Sequence, residues 1–386
     1  MTVLIHFPID RVAPTGGPAG YLCNLKRGLE EVGATSFEFL PHAGEQIEKN
    51  AFLRKAVPNR LKELRRLHNL LALPSKNLPA PVDYSRYEAI HFHSTEDLYI
   101  HRGALESYDG KVVLTSHSPC AYHKELISRL NPADAERHAD ELEELSVIDD
   151  YAFRNANVVM FPCAEAEEPY FHTWPGYAAA RDESKMRYLP TGIAPCTAKA
   201  GRSEVRAHYG IPEEAFLMCY VGRHNQIKGY DSLVEMALPM LADRDVWMLV
   251  AGKEGPLFAP RHEHWVEAGW TDDPHSLIAA SDVFVLPNKE TYFDLVLLEV
   301  LSLGTPVVAT RTGGNRYFER LGSSGIFLFE DVAGFSNHVF EVRQAGSEGR
   351  DCMRAANRSL FKERFTCREF ARNYALVFDM ITGGGV

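Results

Sequence analysis

"PNKETYFDLVLLEVLSLGTPVVATRTGG", residues 287–314, reads as the end of a strand, a polar loop, an apolar helix and a second strand closed by Gly313-Gly314. The strand running into it, "VFVLP" (283–287), and the one inside it, "PVVAT" (306–310), are continuous apolar runs without alternation, as expected of parallel strands covered on both faces. The helix between them is the crossover that parallel pairing requires. Its expected start near Leu295 has a chemical consequence, because a helix N-terminus with a partial positive charge attracts anions. The loop from Lys289 to Asp294 would therefore face a phosphate, and Glu299, one turn inside the helix, would reach hydroxyls attached to it.

The same alternation extends in both directions. "FLMCYVG" (216–222), "WMLVAG" (247–252) and "IFLF" (326–329) are further strands of this half, each followed by a helix. The first half repeats the pattern with "VLIHF" (3–7), "SFEFL" (36–40), "AIHFH" (89–93), "KVVLTSH" (111–117), "NVVMFP" (157–162) and "MRYLP" (186–190). Between the halves, "TGIAPCTAKAGRSEVRAHYG" (191–210) loses apolar periodicity, which places a linker near 195–205. The expectation is an α/β chain of two doubly wound, Rossmann-like domains, 1–197 and 198–366, with the amphipathic tail helix in 367–386 completing the first. Two such sheets in series would face each other across a cleft at their carboxyl ends, where ligands of doubly wound sheets bind.

The bulk numbers narrow the function. A chain of 386 residues with 45% hydrophobic and 24% charged content can bury two ordinary cores. Its net charge of −11 excludes a general nucleic-acid binder, whose footprint is a basic surface. Seven cysteines without a Cys-x-x-Cys pair fit a reduced, cytoplasmic interior. No stretch reaches about 18 apolar residues, and the N-terminal run reads as a buried strand, not a signal or an anchor. One segment stands apart: "FLRKAVPNRLKELRRLHNLLALPSKNLP" (52–79) holds seven Lys/Arg against one Glu, with Leu61, Leu64, Leu67 and Leu71 at helical spacing. Its helix, near 58–73, is either a core-facing leucine stripe with a solvated basic back or a docking surface for the acceptor or for an anionic membrane face.

Two motifs carry chemistry. The Gly16-Gly17 loop follows the first strand and opens a helix, so its backbone can approach a phosphate or sugar without an intervening Cβ. "YVGRHNQIKGYDSLVEMA" (220–237) places Arg223 and Lys228 at a strand's carboxyl end, a guanidinium fork and an ammonium suited to a diphosphate. Asp243-Arg244-Asp245 and "RHEH" (261–264) invite metal readings, but the first precedes its strand and the second lacks a third ligand nearby, so no metal is expected.

These stretches resemble the retaining glycosyltransferases of family 4. "VGRHNQIKGYDSLVEMA" is similar to that family's "VGR…KG" signature, and residues 286–314 to its Glu-x7-Glu block with "GTPVVAT" and Gly-Gly. The glycine loop at 16–20, "VVLTSHSP" (112–119) and "LPTGI" (189–193) fall in the family's order, so the resemblance covers nearly the whole chain. It implies a GT-B fold with the donor sugar nucleotide mostly on the second domain. It implies that Arg223 and Lys228 bind the donor diphosphate and Glu299 the ribose. The main-chain N–H groups of Phe293, Asp294 and Leu295 would contact phosphates, and Gly16 and Gly17 would close over the donor. His117 matches the active-site histidine that meets the transferred sugar.

The chain departs from the pattern at two positions. Seven residues separate Thr291 from Glu299, so the family's first glutamate is a threonine here or is shifted to Glu290. Asp294 stands where the family usually has glycine. Glu290, Thr291, Tyr292, Phe293, Asp294 and Leu295 remain the expected donor loop. The resemblance implies a metal-independent, retaining hexosyltransferase without a cofactor. Its donor would be a nucleoside diphosphate sugar, a UDP-sugar ahead of a GDP-sugar, and its acceptor a glycan or lipid-linked glycan in bacterial cell-surface polysaccharide synthesis. A sugar-nucleotide epimerase or glycosyl phosphorylase of the same fold, or a non-catalytic sugar-nucleotide binding subunit, is the alternative.

Overall fold

A computed structural model describes residues 2–7, 9–14, 17–41 and 59–383. Gly16, residues 52–58 of the basic segment and the last three residues of the tail lie outside the described residues. The chain divides into two compact units: Met1–Pro162, Glu167–Pro190 and Ala371–Val386 form one, and Cys163–Ala166 with Thr191–Phe370 the other.

The first unit is built on six strands: β1 (Val3–His6), β2 (Phe37–Phe39), β3 (Ala89–Phe92), β4 (Lys111–Leu114), β5 (Val158–Phe161) and β6 (Met186–Tyr188). They pair in the order β2-β1-β3-β4-β5-β6, all parallel. β1, β3 and β5 are buried at every position, the reason they read as unbroken apolar runs. Helix α1 (Gly17–Val32) follows β1 and buries Tyr21, Leu22, Leu25 and Leu29. Helix α2 (Asn59–Leu71) covers part of the basic segment. Its Leu67 and Leu70 are buried with Tyr99, Leu126 and Ile148, whereas Leu61 and Leu64 are 55% and 47% exposed, so the leucine stripe divides into a docked half and a solvent half.

The second unit repeats the plan with β7 (Phe216–Val221), β8 (Val246–Ala251), β9 (Trp265–Gly269), β10 (Val283–Leu286), β11 (Val307–Thr310) and β12 (Ile326–Phe329), all parallel in the order β12-β11-β10-β7-β8-β9. Helix α3 (Tyr230–Ala237) follows β7, and α4 (Leu295–Leu303) follows β10. Met218, Tyr220, Leu233, Val250, Val285 and Val308 share its core.

β9 is a strand that the sequence reading lacked. It lies at the sheet edge with only Trp265 buried, and Glu267 interrupts its apolar run. Trp270, just beyond it, is 77% exposed. Part of the expected linker is ordered helix, Arg202–His208, and the first unit hands over to the second at Pro190 and Thr191. The tail forms α5 (Cys367–Thr382), within which the chain returns from the second unit to the first. Its Tyr374 and Phe378 pack on Phe37, and Tyr374 Oη lies 2.7 Å from His91 Nδ1. Among the described residues no helix is long and apolar enough to cross a membrane.

Candidate functional site

The order of the second sheet turns around between β10 and β7, which lie side by side with Met218 opposite Val283. Neighbouring strands whose crossovers run in opposite directions leave a gap at their carboxyl ends, the place where doubly wound sheets bind ligands. Both sequence motifs emerge there, Gly222 to Gly229 from β7 and Pro287 to Asp294 from β10.

Glycines let these loops close on each other. Gly229 has φ +64°, and a Cβ on it would lie 1.7 Å from the Pro287 carbonyl oxygen. A Cβ on Gly314 would lie 2.0 Å from the Tyr292 carbonyl oxygen, and the Gly314 N–H donates to the Thr291 carbonyl at 3.1 Å. Only a residue without a side chain permits such approaches. The Thr310 hydroxyl donates to the Asn288 carbonyl at 2.5 Å, and the Phe293 ring stacks on Phe318 with centroids 5.4 Å apart.

The structure places the expected residues as follows. Arg223 is exposed, and its carbonyl accepts from Tyr220 Oη at 3.0 Å. Lys228 reaches across from the β7 loop to the N-cap of α4, with Nζ 2.8 and 2.9 Å from the two carboxylate oxygens of Asp294. Asn288, fully buried, also donates to that carboxylate. Thr291 is buried under Gly313, its hydroxyl without a hydrogen-bond partner, while Glu290, Tyr292 and Leu295 are half-buried. Glu299 lies on the first turns of α4, its Oε2 3.6 Å from His275 Nε2. The Cys196 sulfur and the Glu299 carboxylate push the His275 imidazole up to about 10. Arg223, Lys228, the 290–295 loop and Glu299 are thus grouped on adjacent elements of one unit.

The first unit holds the other expected residues. Gly17 is the first residue of α1, and a Cβ on it would meet no described atom within 4 Å. His117 does not end a strand as expected. β4 stops at Leu114, and His117 lies three residues on with φ 59°, a left-handed conformation uncommon for a residue with a side chain. Its Nε2 is 2.8 Å from His93 Nδ1, the rings stack 5.1 Å apart, and Tyr21 meets the His117 ring edge-on at 4.5 Å.

His93 Nε2 has no partner in its buried surroundings. The arrangement that leaves no buried N–H unpaired puts the His93 hydrogen on Nδ1, donating to His117 Nε2, and the His117 hydrogen on Nδ1. Burial pushes the His117 imidazole down to about 3 and holds His91 and His93 well below the usual histidine range. His93 and Asn288 are residues that sequence reasoning passed over. The signal for His93 was the His-x-His spacing in "AIHFH", which puts His91 on β3 and His93 one residue past its end.

Among the described residues no group of three or more His, Cys, Asp or Glu is gathered to hold a metal ion. Asp243, one of the two aspartates of the metal-like triplet, sits before β8 at the amino end of its sheet and accepts from Arg343 at 2.7 Å.

Residues 215–344 match the family model described as glycosyl transferases group 1. The match spans both loops of the gap and the whole of α4. Over 144 residues the chain is 33% identical to the lipopolysaccharide core biosynthesis glycosyltransferase LpsE of Rhizobium meliloti, a match covering 36% of this chain and 42% of that protein. Over 147 residues it is 36% identical to the D-inositol 3-phosphate glycosyltransferase of Geodermatophilus obscurus, covering 33% of each. The chain thus spans between a third and a half of the length of these relatives. Sucrose-phosphate synthase from Thermosynechococcus elongatus has a similar structure, with TM-score 0.67, 15% identity and full coverage of both chains. At that identity the likeness shows fold alone, and with the two six-stranded parallel sheets it identifies the fold as GT-B, with the group 1 segment forming most of the second unit.

Proposed function

We propose that the chain is a retaining, metal-independent glycosyltransferase. It moves a hexosyl unit from a nucleoside diphosphate sugar, UDP-linked in preference to GDP-linked, to a glycan or lipid-linked acceptor of bacterial cell-surface polysaccharide synthesis. The observation that carries this reading is the pair of cations, Arg223 and Lys228, presented with the N-terminus of α4 at the switch point of a sheet that matches group 1 glycosyl transferases.

The chemistry follows from charge. When the anomeric C–O bond to the diphosphate breaks, its electron pair stays with the leaving phosphate and positive charge builds on the sugar. Fixed cations and helix N–H groups at the phosphate stabilise that change without reorganising. Arg223 and Lys228 thus take the role that a metal ion plays in other transferases. The acceptor oxygen forms its bond on the face the phosphate leaves, and its proton passes to a phosphate oxygen, so configuration is retained. Glu299 hydrogen-bonds the ribose, and His117 serves the transferred sugar.

Helix α2 belongs to the same reading. Arg60, Lys62 and Arg65 are exposed beside Leu61 and Leu64, a basic and apolar surface suited to an anionic membrane face or a lipid-linked acceptor. The protein would then work in the cytoplasm, peripheral to the inner face of the membrane.

The test is product analysis by NMR after incubation with each UDP- and GDP-hexose, an acceptor fraction and EDTA. Transfer with the donor's anomeric configuration retained is expected. An inverted product, a strict requirement for divalent metal, or turnover without any acceptor would sink the proposal.

A further inference from the structure

Asp294 is in an unusual position for an N-cap. It precedes α4 with extended backbone, φ −71° and ψ 121°, yet its side chain makes no capping hydrogen bond. An aspartate there ordinarily accepts from the N–H groups of the first turn. Here the carboxylate is turned to Lys228, which donates to both oxygens, and to Asn288. The ammonium that the donor reading assigns to a phosphate is therefore already engaged by an oxyanion of the chain itself.

We propose that Asp294 is an intramolecular competitor for the donor diphosphate. The inference rests on the reading of Lys228 as a diphosphate ligand. A carboxylate and a phosphate are both oxyanions, and both are drawn to the same two features, one ammonium and one helix N-terminus. They cannot both hold the ammonium at short range without bringing like charges together. A donor diphosphate must displace Asp294 from Lys228, and Asp294 returns when the diphosphate product is ready to leave. The pair is partly open to solvent, with side chains 35% and 18% exposed, so the exchange does not require the core to open. The departure from glycine at this position then lowers affinity for the nucleoside diphosphate and favours product release.

Calorimetric titration of the full chain with UDP, GDP and ADP tests this, using wild type, Asp294→Gly, Asp294→Asn, Lys228→Met and the Asp294→Gly/Lys228→Met pair. Both Asp294 substitutions should tighten binding of the preferred nucleotide by about tenfold, the scale of one contact to a charged group. Lys228→Met should cost more affinity in the Asp294→Gly background than in wild type, because only there is the ammonium free of its competitor. That coupling separates competition from a structural role, which would shift stability and leave the two Lys228 effects equal. Binding that is unchanged or weaker in both Asp294 variants, with melting temperatures showing them folded, overturns the competitor and leaves the donor reading standing. No nucleotide binding by any of the five proteins overturns both.

Discussion

Arg223 and Lys228 lie five positions apart in one loop and in different electrostatic circumstances. Arg223 is exposed, whereas Lys228 is paired. Arg223→Ala should therefore weaken nucleoside diphosphate binding by the value of a charge-assisted contact, about 1.5–3 kcal/mol, or roughly ten- to hundredfold in Kd by titration calorimetry. His117→Ala should abolish turnover in a donor-consumption assay while leaving that Kd unchanged. If turnover survives, the sugar-contacting role of His117 is wrong. The two cations were legible in the sequence, because a strand end followed by Gly-Arg and Lys-Gly before a helix defines their place. The Lys228 to Asp294 pair was not, since it joins side chains 66 positions apart whose meeting depends on two loops packing at the switch point. The His93 to His117 contact was hidden for the same reason, across 24 positions and a left-handed turn.

Among the elements, the loops of the gap are held by glycines, so small additions there should be costly. Gly229→Ala puts a Cβ in a left-handed backbone and against the Pro287 carbonyl. It should destabilise the second unit by at least about 1–3 kcal/mol in urea unfolding. Gly17→Ala, at a helix start where a Cβ meets no described atom, should change stability by no more than about 0.5 kcal/mol. Helix α2 gives a second prediction. Replacing Arg60, Lys62 and Arg65 by Gln, and sparing Arg66, which donates to the Arg129 carbonyl, removes three charges from an exposed face. At about 1 kcal/mol per basic residue near an anionic surface, affinity for vesicles containing anionic lipid should fall roughly hundredfold in a sedimentation assay. Equal binding by the variant would end the membrane reading. Among the described residues, eleven of the twelve strands lie in segments that the sequence marks as strands. β9 does not, because Trp265-Val266 is too short an apolar run before Glu267 and Gly269 to read as a strand.

For the whole molecule, pH offers an independent check on the histidine cluster. His6, His91, His93 and His117 are held neutral by burial, with His6 and His117 pushed down to about 3. In the unfolded chain each protonates near pH 6.5. Below that pH the unfolded state binds more protons than the native state, so stability is fully present above about pH 6.5 and is lost as pH falls towards 3. Each histidine contributes a slope of up to about 1.4 kcal/mol per pH unit. Urea unfolding at pH 7.5 and 5.5 should show this loss, with a shallower pH slope in His91→Gln; parallel slopes would mean that the cluster does not titrate on unfolding. The central claim, that the second unit takes a nucleoside diphosphate without metal, is tested most directly by thermal unfolding with UDP, GDP and ADP, each with and without EDTA. One nucleotide, expected to be UDP, should raise the melting temperature by roughly 5–10 °C at a hundredfold excess over Kd, unaffected by EDTA and reduced by about half or more in Arg223→Ala. No rise with any of the three, or a rise that EDTA removes, would contradict the account.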